Sequence, residues 1–221
     1  MIQCRGISKV YKKTPVLQEV NLTVEDGRIT FLMGENGAGK TTLIKCMMGL
    51  EQHEGACLFD GLGIDEVHDQ CMVIFDDCPF YTNLSGFENL RQFTAYRFSK
   101  QEIKEAARHY MGEELLRAKV GQYSYGQKKK LALALTELLR PKYLVMDEVS
   151  NGLDYETMRN LKKTIRRWSE TCNILLTGHQ FEFYNDMIQD LYLLKDGKAA
   201  RYTNDEQSGF HLGEIYDEKL G

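Results

Sequence analysis

The chain lacks any apolar run long enough to cross a bilayer, and its first residues, Met1-Ile2-Gln3-Cys4-Arg5, carry neither the basic nor the apolar stretch of a secretory signal. A cytoplasmic location is the resulting expectation. Its six cysteines, Cys4, Cys46, Cys57, Cys71, Cys78 and Cys172, never fall in CxxC spacing. Neither a zinc site nor a disulfide framework is therefore expected, and the thiols read as reduced and mostly buried. Strong charge of either sign is missing too: a net charge of −4 over 221 residues gives no global attraction to nucleic acid or anionic lipid. No nucleic-acid partner is expected. Internal repeats, low-complexity tracts and long linkers are absent. With 43% hydrophobic residues the chain can bury a full core, and residues 1–221 read as one domain.

What is present begins with Gly34-Glu35-Asn36-Gly37-Ala38-Gly39-Lys40-Thr41-Thr42, which fits the pattern GxxxxGK[ST]. The apolar run Arg28 to Met33 precedes it as a strand, and Thr41 to Met48 follows as a helix. Glycines let such a loop turn so that its N–H groups converge on an anion, at the positive end of the helix dipole. The pattern implies a nucleoside triphosphate, with Lys40 bridging the outer phosphates and the Thr41 hydroxyl on Mg²⁺.

Around this loop the chain alternates strand-like and helix-like segments. Ile2–Ile7 and Val16–Val24 read as an N-terminal antiparallel sheet with a turn at Glu25-Asp26-Gly27, and further short strands read at Ala56–Phe59 and Met72–Phe75. Helical periodicity occupies Glu88–Phe98 and Gln101–Met111. Beyond it, Tyr143–Met146 and Asn173–Thr177 are buried apolar runs flanking an amphipathic stretch from Asp154 to Trp168, and Pro141 stops the preceding helix. The expectation is an α/β fold: a parallel sheet core with an N-terminal antiparallel β subdomain and an α-helical insertion over about residues 84–133.

Asp147-Glu148 ends one of the apolar strands, the place where ligands sit in open α/β sheets. Asp147 suits Mg²⁺, and Glu148 suits a water attacking the γ-phosphorus. Upstream, Tyr123-Ser124-Tyr125-Gly126-Gln127-Lys128-Lys129-Lys130 opens a helix with three lysines at its start. Each opposes the helix dipole by about a few tenths of a kcal/mol. Either an anion docks there or the lysines face solvent.

These motifs, in this order, resemble the nucleotide-binding subunit of an ATP-binding cassette (ABC) transporter, with the P-loop NTPase (RecA-like) fold of that family. Tyr123 to Gln127 occupies the place of the family signature usually written LSGGQ. Asn151-Gly152-Leu153-Asp154 resembles the D-loop, His179 after Gly178 resembles the switch histidine, and Tyr11 resembles the aromatic residue that stacks on adenine. The resemblance implies hydrolysis of MgATP by a dimer with itself or a related cassette, in which Ser124, Gly126 and Gln127 of one subunit complete the ATP site of the other. It also implies a separate membrane permease, docked by the helical block, that holds the subunit at the inner face of the membrane.

Three positions depart from the family pattern. Asp76, or its neighbour Asp77, stands where most members place a Gln that reaches Mg²⁺. Tyr125 replaces the first signature glycine, and Val149 replaces a proline after the glutamate. The first two resemble exporters of the bacitracin and multidrug type. Two rivals are kept: a soluble ABC-type ATPase in a non-transport assembly, and a P-loop small-molecule kinase, which would have no use for Ser124 and Gly126.

Overall fold

The computed structural model describes residues 1–202 and 209–220. Strands β1 (Ile2–Tyr11) and β2 (Thr14–Val24) form a hairpin, and β3 (Ile29–Met33) leads through the phosphate loop into helix α1 (Lys40–Met47). Next come β4 (Glu54–Phe59), the single-turn α2 (Ile64–Val67) and β5 (Cys71–Ile74). Helices α3 (Gly86–Phe93), α4 (Lys100–Ala107), α5 (Glu113–Arg117) and α6 (Tyr125–Leu139) then follow without an intervening strand. The alternation resumes with β6 (Tyr143–Met146), α7 (Tyr155–Ser169), β7 (Asn173–Leu176), α8 (Phe181–Tyr184), β8 (Asp190–Lys195), β9 (Lys198–Tyr202) and α9 (Leu212–Lys219).

Two sheets result. An antiparallel one has the order β2-β1-β4, and a larger one has the order β5-β6-β7-β3-β8-β9, parallel except for β9. The expected architecture of a parallel core, an antiparallel subdomain and a helical insertion is present.

Burial explains why the central strands read as continuous apolar runs. Every residue of β3, β6 and β7 is buried because both faces of the parallel sheet are covered. One face carries Phe31, Met146, Leu176 and Tyr184 in a cluster with Leu161 and Ile165 of α7. The other packs Leu32, Val145 and Leu175 against Leu43 and Ile44 of α1 and the antiparallel sheet. Each fully buried side chain of this kind contributes about 1.5–3 kcal/mol by leaving water. A third cluster, with Leu90, Ile103, Leu131 and Leu135, fills the helical block.

Because β3 lies between β7 and β8, with β6 beyond β7, the C-terminal ends of β3, β7 and β6 are adjacent. All three deliver polar residues to one edge. All six cysteines are free thiols, four buried and two half-buried, and no helix among the described residues is long and apolar enough to cross a membrane.

Candidate functional site

The phosphate loop is shaped by a backbone that only glycine adopts easily. Gly39 has φ +106°, and a Cβ there would lie 3.1–3.3 Å from Leu17 and Val16, so the loop turns sharply into α1. Helix α1 has no acidic residue in its first turn to offset the dipole. Lys40 is only 7% exposed, and its ammonium donates to the carbonyls of Gly34 (2.7 Å) and Glu35 (3.0 Å). Burial holds Lys40 below the ordinary lysine pKa, against the pull of the Glu148 and Asp147 carboxylates. These are two carboxylates and one ammonium in a shared field, and a bound polyphosphate would favour the charged lysine.

Asp147 is fixed through both oxygens. Thr41 Oγ1 donates to Oδ2 at 2.7 Å, and Thr177 Oγ1 donates to Oδ1 at 2.5 Å. The sequence reading did not single out Thr177. Its signal was available: a hydroxyl closing the apolar run of β7, directly before Gly178-His179. Buried Tyr184 braces this turn by donating to the Thr177 carbonyl at 3.1 Å, with Ser150 Oγ also at 3.1 Å. A residue larger than glycine at 178 would strike the Tyr184 hydroxyl at 2.5 Å.

Glu148 follows in the left-handed region, φ +56°. Its amide donates to Thr177 Oγ1 (3.2 Å), and its Oε2 accepts from Asn151 Nδ2 (2.9 Å). His179 Nε2 lies 3.2 Å from Glu148 Oε1 but out of line for a hydrogen bond, so this buried nitrogen has no partner. An unpaired buried nitrogen beside a carboxylate is a feature that native structures seldom leave without a reason. One hollow, lined in part by His179, opens between α7, α8 and α9, and another borders the phosphate loop at Glu35 to Ala38. The site itself is an open edge.

A second cluster gathers at the start of α6. Ser124 is its N-cap: Ser124 Oγ accepts from the Gln127 amide (3.3 Å), and Gln127 Oε1 accepts from the Ser124 amide (2.8 Å). Gly126 packs against the carbonyl of Gly152, where a Cβ would come within 2.3 Å. The Tyr125 ring lies against Gly152, and its hydroxyl bonds Asp76. Burial, then Asp76, pushes the Tyr125 phenol well above its usual range. Lys129 also reaches Asp76 Oδ1, at 3.2 Å, and Lys130 pairs with Asp154 at 2.8 Å. Tyr11, at the end of β1, is partly exposed. Its hydroxyl meets Glu51 and Thr42, and Lys9 Nζ sits 4.8 Å from the ring centre.

The residues present fit a magnesium ion. Thr41 and Asp147 offer hard oxygen donors side by side, while no group of three or more His, Cys, Asp or Glu among the described residues converges on one point. An ion held by two protein oxygens completes its shell with water and phosphate, as Mg²⁺ prefers and Zn²⁺ does not.

A phosphate loop, an Asp-Glu strand end and a histidine just beyond the strand between them define a P-loop nucleoside triphosphatase. The ABC transporter family model matches residues 17–151, more than half of the chain, and the protein belongs to that family. It is an ATP-binding and ATP-hydrolysing subunit of a transporter. Among curated relatives, the lantibiotic transport ATP-binding protein SrtF of Streptococcus pyogenes is 30% identical, covering 100% of this chain and 97% of its own. The SkfA peptide export ATP-binding protein SkfE of Bacillus subtilis is 30% identical over 91% of this chain and 88% of its own. Among solved structures, an ATP-binding subunit of an ABC transporter superposes with a TM-score of 0.87 at 26% identity over 99% of this chain and 98% of that one. The dimeric ATP-binding cassette MJ0796, bound to ADP and Pi, shares the fold with a TM-score of 0.76 at 22% identity, over 92% of this chain and all of that one.

Proposed function

We propose that the whole chain acts as one ABC ATPase domain, peripherally attached to the inner face of the cell membrane, that powers a separate permease exporting a peptide-like cargo. The observation that carries the catalytic part is the chain Thr41–Asp147–Thr177, which locks an Asp-Glu strand end to the phosphate loop beside an unpartnered His179 nitrogen. Residues Gly34 to Thr42 hold the ATP phosphates, with Lys40 exchanging its loop carbonyls for phosphate oxygens. Tyr11 stacks on the adenine. Thr41 and Asp147 hold Mg²⁺, and Asp76, whose Oδ1 is taken by Tyr125 and Lys129, offers Oδ2 to water on the ion. Bound Mg²⁺ supplies Lewis acidity to the phosphates. Glu148 orients and polarises the attacking water, and His179 contacts the γ-phosphate.

Ser124, Gly126 and Gln127 serve the site of a second copy, or of a related cassette, since the start of α6 is capped and exposed at Ser124 and Tyr125. The helical block of about residues 84–133 docks the permease. Export is favoured because SrtF and SkfE, which match almost end to end, are named for lantibiotic transport and peptide export.

Thermal melting with MgATP tests the nucleotide site. At about a hundred times Kd the ligand contributes about 2.7 kcal/mol, a rise of about 5–10 °C for a chain of this size. Lys40→Ala should lose most of that rise. A wild-type curve unmoved by millimolar MgATP refutes the assignment.

A further inference from the structure

Helix α6 contains a lysine with no access to water. Lys129 is 0% exposed, a rare state for this residue, although it stands one turn into a helix that begins at the surface. Its ammonium has two hydrogen-bond acceptors and an aromatic ring nearby. It donates to the backbone carbonyl of Glu148 at 2.5 Å and to Asp76 Oδ1 at 3.2 Å, and it lies 5.2 Å from the centre of the Tyr125 ring. Tyr125, four residues earlier on the same helix face, bonds the same carboxylate oxygen of Asp76.

Burying an ammonium is expensive, and an apolar side chain of similar volume usually stabilises a core at least as well. What the lysine does that a methionine cannot is hold a carbonyl. The carbonyl it holds belongs to Glu148, whose backbone lies in the left-handed region that residues with a Cβ seldom adopt. Outliers of this kind persist where neighbouring groups restrain them. The Glu148 amide is restrained from β7 by Thr177 and its carboxylate by Asn151, while the carbonyl is restrained from α6 by Lys129.

We propose that Lys129 is a positioning residue for ATP hydrolysis. It fixes the left-handed Glu148 peptide, while Asp76 and the Tyr125 ring fix Lys129 itself, so that the glutamate carboxylate meets the attacking water in one orientation. This rests on the assignment of Glu148 as the water-activating group. Lys129 touches no reacting atom, and its effect reaches the chemistry through the backbone of its neighbour. A carboxylate displaced by about 1 Å loses about a hundredfold in rate while the phosphate loop still binds nucleotide.

The test compares Lys129→Met, Lys129→Gln, Asp76→Asn, Lys129→Met with Asp76→Asn together, and Glu148→Gln as the reference. Phosphate release at varied MgATP provides kcat and KM, and melting with and without MgATP reports nucleotide binding independently of turnover. Lys129→Met should lower kcat about ten- to a hundredfold with KM within about threefold and the melting rise intact. Lys129→Gln, which keeps a donor for the carbonyl, should fall between Lys129→Met and wild type. Adding Asp76→Asn to Lys129→Met should cost less than Asp76→Asn costs alone, since part of Asp76's role is spent on holding the lysine. A purely structural lysine predicts lower melting temperatures with kcat per folded molecule unchanged, and that result overturns the proposal. So does failure of both single Lys129 variants to fold. Wild-type turnover by Lys129→Met beside an inactive Glu148→Gln overturns the role of Lys129 alone. Wild-type turnover by Glu148→Gln overturns the assignment on which it rests.

Discussion

Replacing Glu148 by glutamine separates binding from hydrolysis, and the surroundings of the side chain set the size of both effects. Glu148 Oε2 accepts from Asn151 Nδ2 at 2.9 Å, so a glutamine there must turn its carbonyl oxygen toward Asn151. Its NH₂ then faces His179 Nε2, which lies 3.2 Å from Oε1 in the native protein and lacks a partner. That position is out of line for a hydrogen bond, so the exchange preserves shape and breaks no existing hydrogen bond. Stability should therefore change by less than about 1 kcal/mol, or about 2–4 °C in melting temperature. Nucleotide affinity should hold as well, because Lys40, Thr41 and Asp147 are untouched. In the proposed role of Glu148, loss of the carboxylate should cost about two to four powers of ten in kcat, equivalent to about 2.7–5.4 kcal/mol in the barrier. Hydrolysis would then no longer end the ATP-bound pair, and the variant should accumulate as a dimer containing ATP. Size-exclusion chromatography with light scattering, run with ATP and with ADP beside a phosphate-release assay, reads both outcomes. A variant that stays monomeric in ATP, or one that hydrolyses at the wild-type rate, refutes the reasoning.

Two other perturbations follow from the same site and core. Asp76→Ala removes the counter-charge of Lys129 and a candidate contact to water on the ion, so kcat should fall much further than ATP affinity, and unchanged turnover in the phosphate-release assay would contradict both roles. Burial raises the thiols of Cys46 and Cys78 from 9.0 to about 11 and those of Cys71 and Cys172 from 9.0 to about 12. The folded state thus holds thiol protons that the unfolded chain releases. That stabilisation is complete below pH 9.0 and disappears as pH rises toward 11–12. The melting temperature under reducing conditions should decline over this window, and a level profile there would show that the thiols are not buried as described.

The phosphate loop, the strands around it and the Asp-Glu strand end were legible because each depends on neighbours in sequence. Strand β3 is wholly buried and apolar except for Thr30, Gly39 must turn, and Ser124 with Gln127 forms a capping box spanning four residues. Asp154 likewise caps α7, and Pro141 follows a helix whose C-cap, Arg140, is left-handed. The hairpin of β8 and β9 went unread although Asp196-Gly197, both at positive φ, is a strong local hairpin signal. What sequence could not reveal was the fate of the lysines. The solvent-face alternative fails for Lys129, which is buried and whose partner Asp76 lies 53 positions away, while Lys130 stays at the surface in an exposed pair with Asp154. Pairings of that range depend on how the helical block folds back beside β5, which no local pattern encodes.

The three departures from the family pattern, taken singly, look like defects: a shortened ligand at Asp76, a bulky ring at Tyr125 and a lost proline at Val149. The structure joins them. Tyr125 and Asp76 bond each other, and both meet Lys129, whose ammonium ends on the carbonyl of Glu148. That carbonyl belongs to the peptide bond leading into Val149. A proline at 149 would stiffen this peptide through its ring. Here the restraint is non-covalent, supplied by the complete burial of Val149 and by bonds to the amide and carbonyl of Glu148. The ring of Tyr125 is tolerated at the start of α6 because Gly152 has no side chain to oppose it. The positions therefore depend on one another. Tyr125 without Asp76 would lose the one side-chain partner of its hydroxyl, Asp76 without Lys129 would lose its ion pair, and Val149 without Lys129 would leave the carbonyl of the left-handed glutamate unrestrained from α6. Substitutions that hold each other in place through direct contacts are an alternative way of building the same strand end.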